Sequence, residues 1–480
     1  MTRQEFRERA AEQILILDGA TGSNLLKRGM PYGVCTEQWV TEHREVMIRL
    51  QQEYVENGSD IVYAPTFSGN RVKLKEYGLL ERMEELNREL VAISREAAGG
   101  KALVAGDITM TGAQLEPMGD MTFDELVEIY KEQIRIIADA GVDLIVIETM
   151  MSLQETRAAV IAAREVCELP IMATLSFKEN GKTLYGVSAG SAVAVLQGMG
   201  VDAVGINCSA GPDKMLPVIQ EMKRYARIPV IAKPNAGMPK LMADGTTGYD
   251  MDAAEFALHM EKLIDAGANL IGGCCGSTPE FIGRIATLAG RKEKKDAADL
   301  SMKEAIVLEK AEHIIYLASE REVYTFTPGQ KLVVGTEIDF SKNDELVEEY
   351  REEAFDTAVD LAFDMEDEEA DIIRICAAGT WTGAEMAEYT GNVEFGQVSG
   401  ALPEAKAILA VAEELSRNVN LPLMIASESV ETIAYVVRHF SGIMAIQWSH
   451  NLEEWETEIK SIAKSYQVPL VTIDNEIIYC

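Results

Sequence analysis

The chain has 480 residues, 47% apolar and 25% charged, which is enough for two domains or for one large barrel with an appendage. Its formal net charge is −34, and residues 301–480 alone carry 35 acidic and 12 basic side chains, a net −23. So acidic a surface repels nucleic acid and anionic membranes, and its plainest consequence is solubility.

In chain order, the opening MTRQEFRERAAEQ is polar and lacks the apolar core of a signal peptide. No stretch of about 18 uncharged apolar residues marks a membrane span. The seven cysteines, two of them adjacent, are not spaced like a secreted disulfide framework. The expected location is the cytoplasm. Eight short apolar runs follow, at 14–17, 61–65, 102–107, 144–150, 171–177, 203–209, 229–235 and 270–276. Between them lie stretches with helical apolar spacing, among them 36–57, 77–98, 122–139, 153–166, 214–226 and 252–266. Regular alternation of this kind implies parallel strands joined by crossover helices, and eight units in about 290 residues fit a (β/α)8 TIM barrel over 1–290. An open doubly wound sheet is the competing fold, but no GxGxxG follows the first strand. A charged, pattern-poor stretch at 291–303 reads as a linker. Residues 304–480 then form a smaller β/α domain with apolar runs near 332–338, 371–376, 421–427, 443–448 and 468–473. Five such runs make either an open sheet or a partial barrel.

Barrel chemistry sits at the C-terminal ends of the strands. The residues predicted there include Asp18, Thr66, Asp107, Glu148, Cys208, Asn235, Cys274 and Cys275. Neighbouring residues in a regular strand point to opposite faces, so Cys274 and Cys275 converge only if the backbone leaves strand geometry, which Gly273 and Gly276 permit. With Cys208 they would make a three-thiolate zinc site with one open position, as a catalytic zinc keeps. None of the five histidines falls at a predicted barrel strand end, which argues for a sulfur site over a hydrolytic one. The alternatives are simple packing, common for buried cysteine, and a strained vicinal disulfide. Cys35, Cys167, Cys376 and Cys480 read as packing or surface residues.

Three segments, Asp18-Gly19-Ala20-Thr21-Gly22-Ser23, Gly205-Ile206-Asn207-Cys208-Ser209 and Gly272-Gly273-Cys274-Cys275-Gly276-Ser277-Thr278-Pro279, resemble the signatures of the homocysteine S-methyltransferase family. The likeness covers about residues 10–290 and is nearest to the N-terminal homocysteine-binding module of cobalamin-dependent methionine synthase. It implies a zinc-bearing barrel, one Zn2+ per chain, with Cys208, Cys274 and Cys275 as ligands and the sulfur of L-homocysteine in the fourth position. It also implies that the 19–22 turn (Gly19, Ala20, Thr21, Gly22) offers backbone N–H groups to the substrate carboxylate. Glu148 and Asp18 would then pair with the substrate ammonium, and Asn235 would line the site.

The tail is similar, faintly, to the pterin-binding barrel that follows that module. Arg374 and Ala426 stand where that pattern carries aspartates. The expectation is a degenerate half-barrel serving as a docking or homo-oligomer surface. At this length the chain holds no complete folate and cobalamin modules beside the barrel, so the methyl group would come from methylcobalamin on a separate corrinoid protein. The alternative functions are a non-catalytic or retargeted subunit of a corrinoid methyl-transfer system, and a betaine- or sulfonium-dependent homocysteine methyltransferase.

Overall fold

The computed structural model describes residues 1–241, 247–296, 314–377, 403–447 and 456–479. The chain divides into two units, Met1–Ala305 and Ile306–Cys480.

In the first unit the eight expected runs become strands: β1 (Leu15–Ile16), β2 (Ile61–Ala64), β3 (Leu103–Ile108), β4 (Leu144–Met150), β5 (Ile171–Leu175), β6 (Ala203–Cys208), β7 (Val230–Pro234) and β8 (Ala268–Ile271). They pair in parallel in the order β1-β8-β7-β6-β5-β4-β3-β2. A parallel bridge between Leu17 and Ile61 brings the first strand to the second and closes the ring. The fold is a (β/α)8 barrel. Helices cover the outer face and side chains fill the lumen, so both faces of each strand are buried and the runs read as continuously apolar. Leu15, Leu17, Ile61, Tyr63, Ala105, Val146, Met172, Ile231 and Leu270 form the inner core.

Phe6 and Ala10 of the helix Arg3–Glu12 join that core where the strands begin. Arg3, Arg7 and Arg164 meet there on the buried carboxylate of Asp202. That plug leaves the opposite mouth, at the C-terminal ends of the strands, as the accessible one. Two features of the unit differ from the sequence reading. A hairpin, Pro239–Leu241 with Thr247–Tyr249, rises between β7 and the next helix. The last helix, Pro279–Asp296, runs into the stretch read as a linker, whose Arg, Lys and Glu residues are good helix formers. The remainder of that linker, 297–303, lies outside the described residues.

In the second unit five parallel strands neighbour one another in chain order: Val334–Asp339, Ile372–Cys376, Leu423–Ala426, Ala445–Gln447 and Leu470–Val471. Two antiparallel strands, Glu476–Ile478 and Gln330–Lys331, complete the sheet. Its outermost strands, Gln330–Lys331 and Val334–Asp339, are joined by residues 332 and 333 alone. Three Cα steps span at most about 11 Å, whereas seven flat strands would spread over roughly 29 Å. The sheet must therefore curl until its edges nearly meet. Leu332 donates to the carbonyl of Asn475, and the carbonyl of Val333 accepts from the amide of Asp371, so the junction bonds to both edges. This is a partial barrel and not an open sheet.

Candidate metal centre

Three chain segments carry the sulfurs. Cys208 ends β6 opposite Pro234 of β7. There the backbone turns left-handed at Cys208 (φ 59°) and Ser209 (φ 49°), a conformation that costs free energy for residues with a side chain. Ser209 is held in it by accepting the amide of Phe177 at 2.8 Å and by donating to the Asn207 carbonyl at 3.1 Å. Cys274 and Cys275 lie beyond β8 in a turn. The amide of Cys274 donates to Pro234 O at 2.6 Å, and the amide of Ala236 donates to Cys275 O at 2.9 Å. Ser277 Oγ closes the turn by donating to Cys274 O at 2.7 Å. Only Gly276 of the two flanking glycines supplies a positive φ, 84°. Gly273 is needed for another reason, since a Cβ there would collide with Ser277 Oγ.

The three sulfurs lie within 4.8 Å of one another and could hold a metal ion. Their protonation shows the same fit. Hydrogen bonds from the Cys208 and Cys274 thiols hold Cys275 down at about 3. The hydrogen bond from Cys208 also lowers Cys274, but its donation to Cys275, burial and the nearby thiolate outweigh this and push it up to about 11. Cys208, which donates to both neighbours, is driven up. The three sulfurs thus hold their protons by mutual hydrogen bonds, and a divalent cation would take the place of those protons among three soft donors. Tyr249, from the hairpin, hydrogen-bonds to the Cys275 sulfur, and its ring lies against Gly276 where a Cβ would clash.

Below the sulfurs, at the top of the lumen, sits a charged floor. Asp18, Asp107 and Glu148 are all buried, and one buried ammonium, Lys233 of β7, faces them. Lys233 Nζ lies 3.4 Å from Asp18 Oδ1, 3.9 Å from Glu148 Oε2, and 4.4 Å from the centre of the Tyr63 ring. Burial pushes Glu148 up to about 7 against the pull of Lys233. Burial likewise raises Asp18 and, with the Glu148 charge added, drives Asp107 well above the usual carboxylate range. Asn207 joins the floor to the sulfurs: its amide donates to Glu148 Oε2 at 3.2 Å and to Thr149 Oγ1 at 2.8 Å, and lies 4.0 Å from Cys274 Sγ.

Cys208, Cys274, Cys275, Asp18 and Glu148 therefore lie around one mouth of the barrel. Asn235 follows β7 beside them, buried, with no hydrogen-bond partner for Oδ1. In the 19–22 turn, the amide of Ala20 already donates to Ser277 Oγ at 3.1 Å, so it serves as a tie between turns. Gly19 is required by the Tyr54 ring, 2.7 Å from where a Cβ would stand. Thr21 precedes the short helix Gly22–Lys27 without a capping hydrogen bond from its side chain. Thr66 is committed to Asp107, donating to its carbonyl at 2.8 Å. Three residues of the site were given no role from sequence, Asn207 among them although it stands in one of the quoted segments. Lys233 had a signal, a lone charge at an inward-facing position of a barrel strand. Tyr249 had none, because the hairpin that delivers it shows no strand pattern.

Residues 15–289, more than half of the chain, match the model of the homocysteine S-methyltransferase family. Methionine synthase of Mycobacterium tuberculosis is 26% identical over 505 residues, and that of Mycobacterium leprae 25% over 488. Each alignment takes in 97% of this chain but 38% of the relative, so the chain spans less than half the length of these relatives. Among solved structures, the metallated homocysteine methyltransferase MmuM of Escherichia coli aligns with a TM-score of 0.50 at 21% identity, covering 59% of this chain and 99% of its own. That likeness bears on the fold.

Proposed function

Because the chain belongs to the homocysteine S-methyltransferase family, we propose that it transfers a methyl group to the thiol of L-homocysteine, giving L-methionine, at a zinc ion held by Cys208, Cys274 and Cys275. The observation that carries this reading is the convergence of three sulfurs within 4.8 Å directly above a carboxylate-rich floor. Bound zinc would keep a substrate thiol deprotonated near neutral pH, and an all-thiolate shell would leave that sulfur nucleophilic. The chain's own residues would do the rest. Asp18 and Glu148 would pair with the substrate ammonium. The amides of the 19–22 turn other than that of Ala20 would meet its carboxylate, and Asn235 would line the approach to the sulfur. The sulfur then attacks the methyl carbon as the donor bond breaks, and the electron pair leaves with the donor.

The donor in this proposal is a methyl-corrinoid protein, for which the curled second unit offers a docking or dimerisation surface. The free thiols suit a reducing compartment, the cytoplasm. Among the described residues, no helix is long and apolar enough to cross a membrane.

Zinc content and zinc K-edge absorption, with and without L-homocysteine, test the reading. It requires one zinc per chain and a shell that passes from three sulfurs plus a lighter atom to four sulfurs. A shell that homocysteine leaves unchanged would assign the site to structure or to another thiol. Protein purified reduced and without chelator, yet free of zinc, would sink it.

A further inference from the structure

The floor beneath the sulfurs is electrostatically incomplete. Three buried carboxyl groups, Asp18, Asp107 and Glu148, face one ammonium, that of Lys233. Its distances to Asp18 Oδ1 and Glu148 Oε2, 3.4 and 3.9 Å, exceed the 2.7–2.9 Å of a charge-assisted hydrogen bond. Lys233 thus lies between two carboxylates without closing on either. Asp18 Oδ1, in a residue only 1% exposed, has no donor nearer than Lys233 Nζ at 3.4 Å, and Asp107 Oδ1 has no hydrogen-bond partner. Buried carboxylate oxygens without donors are costly and mark a place where a donor is due. The remaining contacts fix the frame. Asp18 Oδ2 accepts the Tyr63 amide at 2.8 Å, the Tyr63 ring lies under Nζ, and Glu148 Oε2 accepts from Asn207.

We infer that Lys233 is a positioning residue for the substrate amine, an internal ammonium that stands between Asp18 and Glu148 and favours their ionised forms against burial, so that a second ammonium fits against them. The inference rests on the reading of Asp18 and Glu148 as the amine-binding pair. One internal cation against the carboxylates of Asp18 and Glu148 leaves the floor attractive to one more positive charge. With none, the adjacent buried carboxyls of Asp18 and Glu148 would hold their protons more firmly, and an incoming amine would bind only after driving them off. Burial disfavours the charge on Lys233, but Glu148 and Asp18 outweigh it, so the side chain remains an ammonium. The other titratable groups facing it are Tyr63, Asp107 and Cys274.

The test separates the amine from the thiol. Dissociation constants would be measured by calorimetry on the zinc-loaded protein for L-homocysteine and for 4-mercaptobutyrate, the same thiol acid without the amino group. In the unaltered protein homocysteine should bind more tightly; equal affinities would remove the amine reading itself, and this inference with it. Lys233→Met, which keeps length and loses charge, should weaken homocysteine by about tenfold or more while leaving 4-mercaptobutyrate within about twofold. Lys233→Gln, neutral but still a hydrogen-bond donor, should lose as much, because the charge carries the effect. Equal weakening of both thiols, or no change in homocysteine binding by a zinc-replete Lys233→Gln protein, would overturn the role assigned to Lys233.

Discussion

Around the sulfurs, single hydrogen bonds decide how much charge each group carries. The Tyr249 hydroxyl bonds to Cys275, and its ring is held independently by contact with Gly276. Tyr249→Phe should therefore keep the packing and lose only the partner of a sulfur proposed to ligate zinc. Such partners typically contribute ten- to a hundredfold to metal affinity. We expect zinc binding, measured by competition with a chromophoric chelator, to weaken by about tenfold with the melting temperature of the metal-free protein unchanged. Glu148 makes the second prediction at this scale. Its carboxyl is pushed up to about 7, against an ordinary value of 4.5, chiefly by burial. Between those values the folded chain holds a proton that the unfolded chain has lost, so the stability this group contributes is present below about 4.5 and lost as pH rises through 7. Glu148→Gln should flatten that part of the pH profile of the denaturation midpoint in the metal-free protein. A profile as steep as before would show that another group titrates there.

At the scale of elements, the site depends on strands held in register at their upper ends. Asn207 of β6 receives the amide of Thr149 at the end of β4 (2.8 Å) and the hydroxyl of Thr174 on β5 (2.9 Å), and donates to Glu148. One side chain thus fastens three neighbouring strands below the sulfurs. Asn207→Ala leaves several buried polar groups unpaired, at about 1–3 kcal/mol for each that finds no water. The denaturation midpoint should fall accordingly, and Glu148 should lose its fixed orientation, so that homocysteine binding weakens even when zinc is replete. How much of this was legible from sequence follows from period and range. Strands buried on both faces leave unbroken apolar runs, so the eight barrel strands, the end bearing Cys208 and the turn bearing Cys274 and Cys275 could be placed from the order of those runs. The left-handed backbone at Cys208 and Ser209 left no such trace, because neither residue is glycine and the conformation is imposed by bonds to Phe177 and Asn207. The closure of the second sheet was hidden for a different reason. Gln330–Lys331 and Glu476–Ile478 are two- and three-residue strands without a pattern, and they pair across nearly the whole length of the second unit.

For the whole molecule, charge is the feature that the barrel chemistry leaves unused. The metal-site cysteines and the charged floor all lie in the first unit, whereas residues 301–480 hold a net −23 of the chain's −34. Solubility alone would explain an acidic surface. Docking of a donor protein would explain why the acidity gathers in the second unit, provided that the donor presents a basic face. Ionic strength separates the two. The screening length falls from about 10 Å at 0.1 M salt to about 3 Å at 1 M, so encounter between oppositely charged surfaces slows steeply as salt is added. Binding of homocysteine, a small zwitterion with no net charge, should hardly respond. If the second unit docks the donor through its charge, the second-order rate of methyl transfer from a methylated corrinoid protein should fall by about tenfold or more between low and high salt, with the homocysteine dissociation constant nearly constant. A transfer rate indifferent to salt would leave the acidic unit as a solubilising surface and place any docking contacts on uncharged parts of the chain.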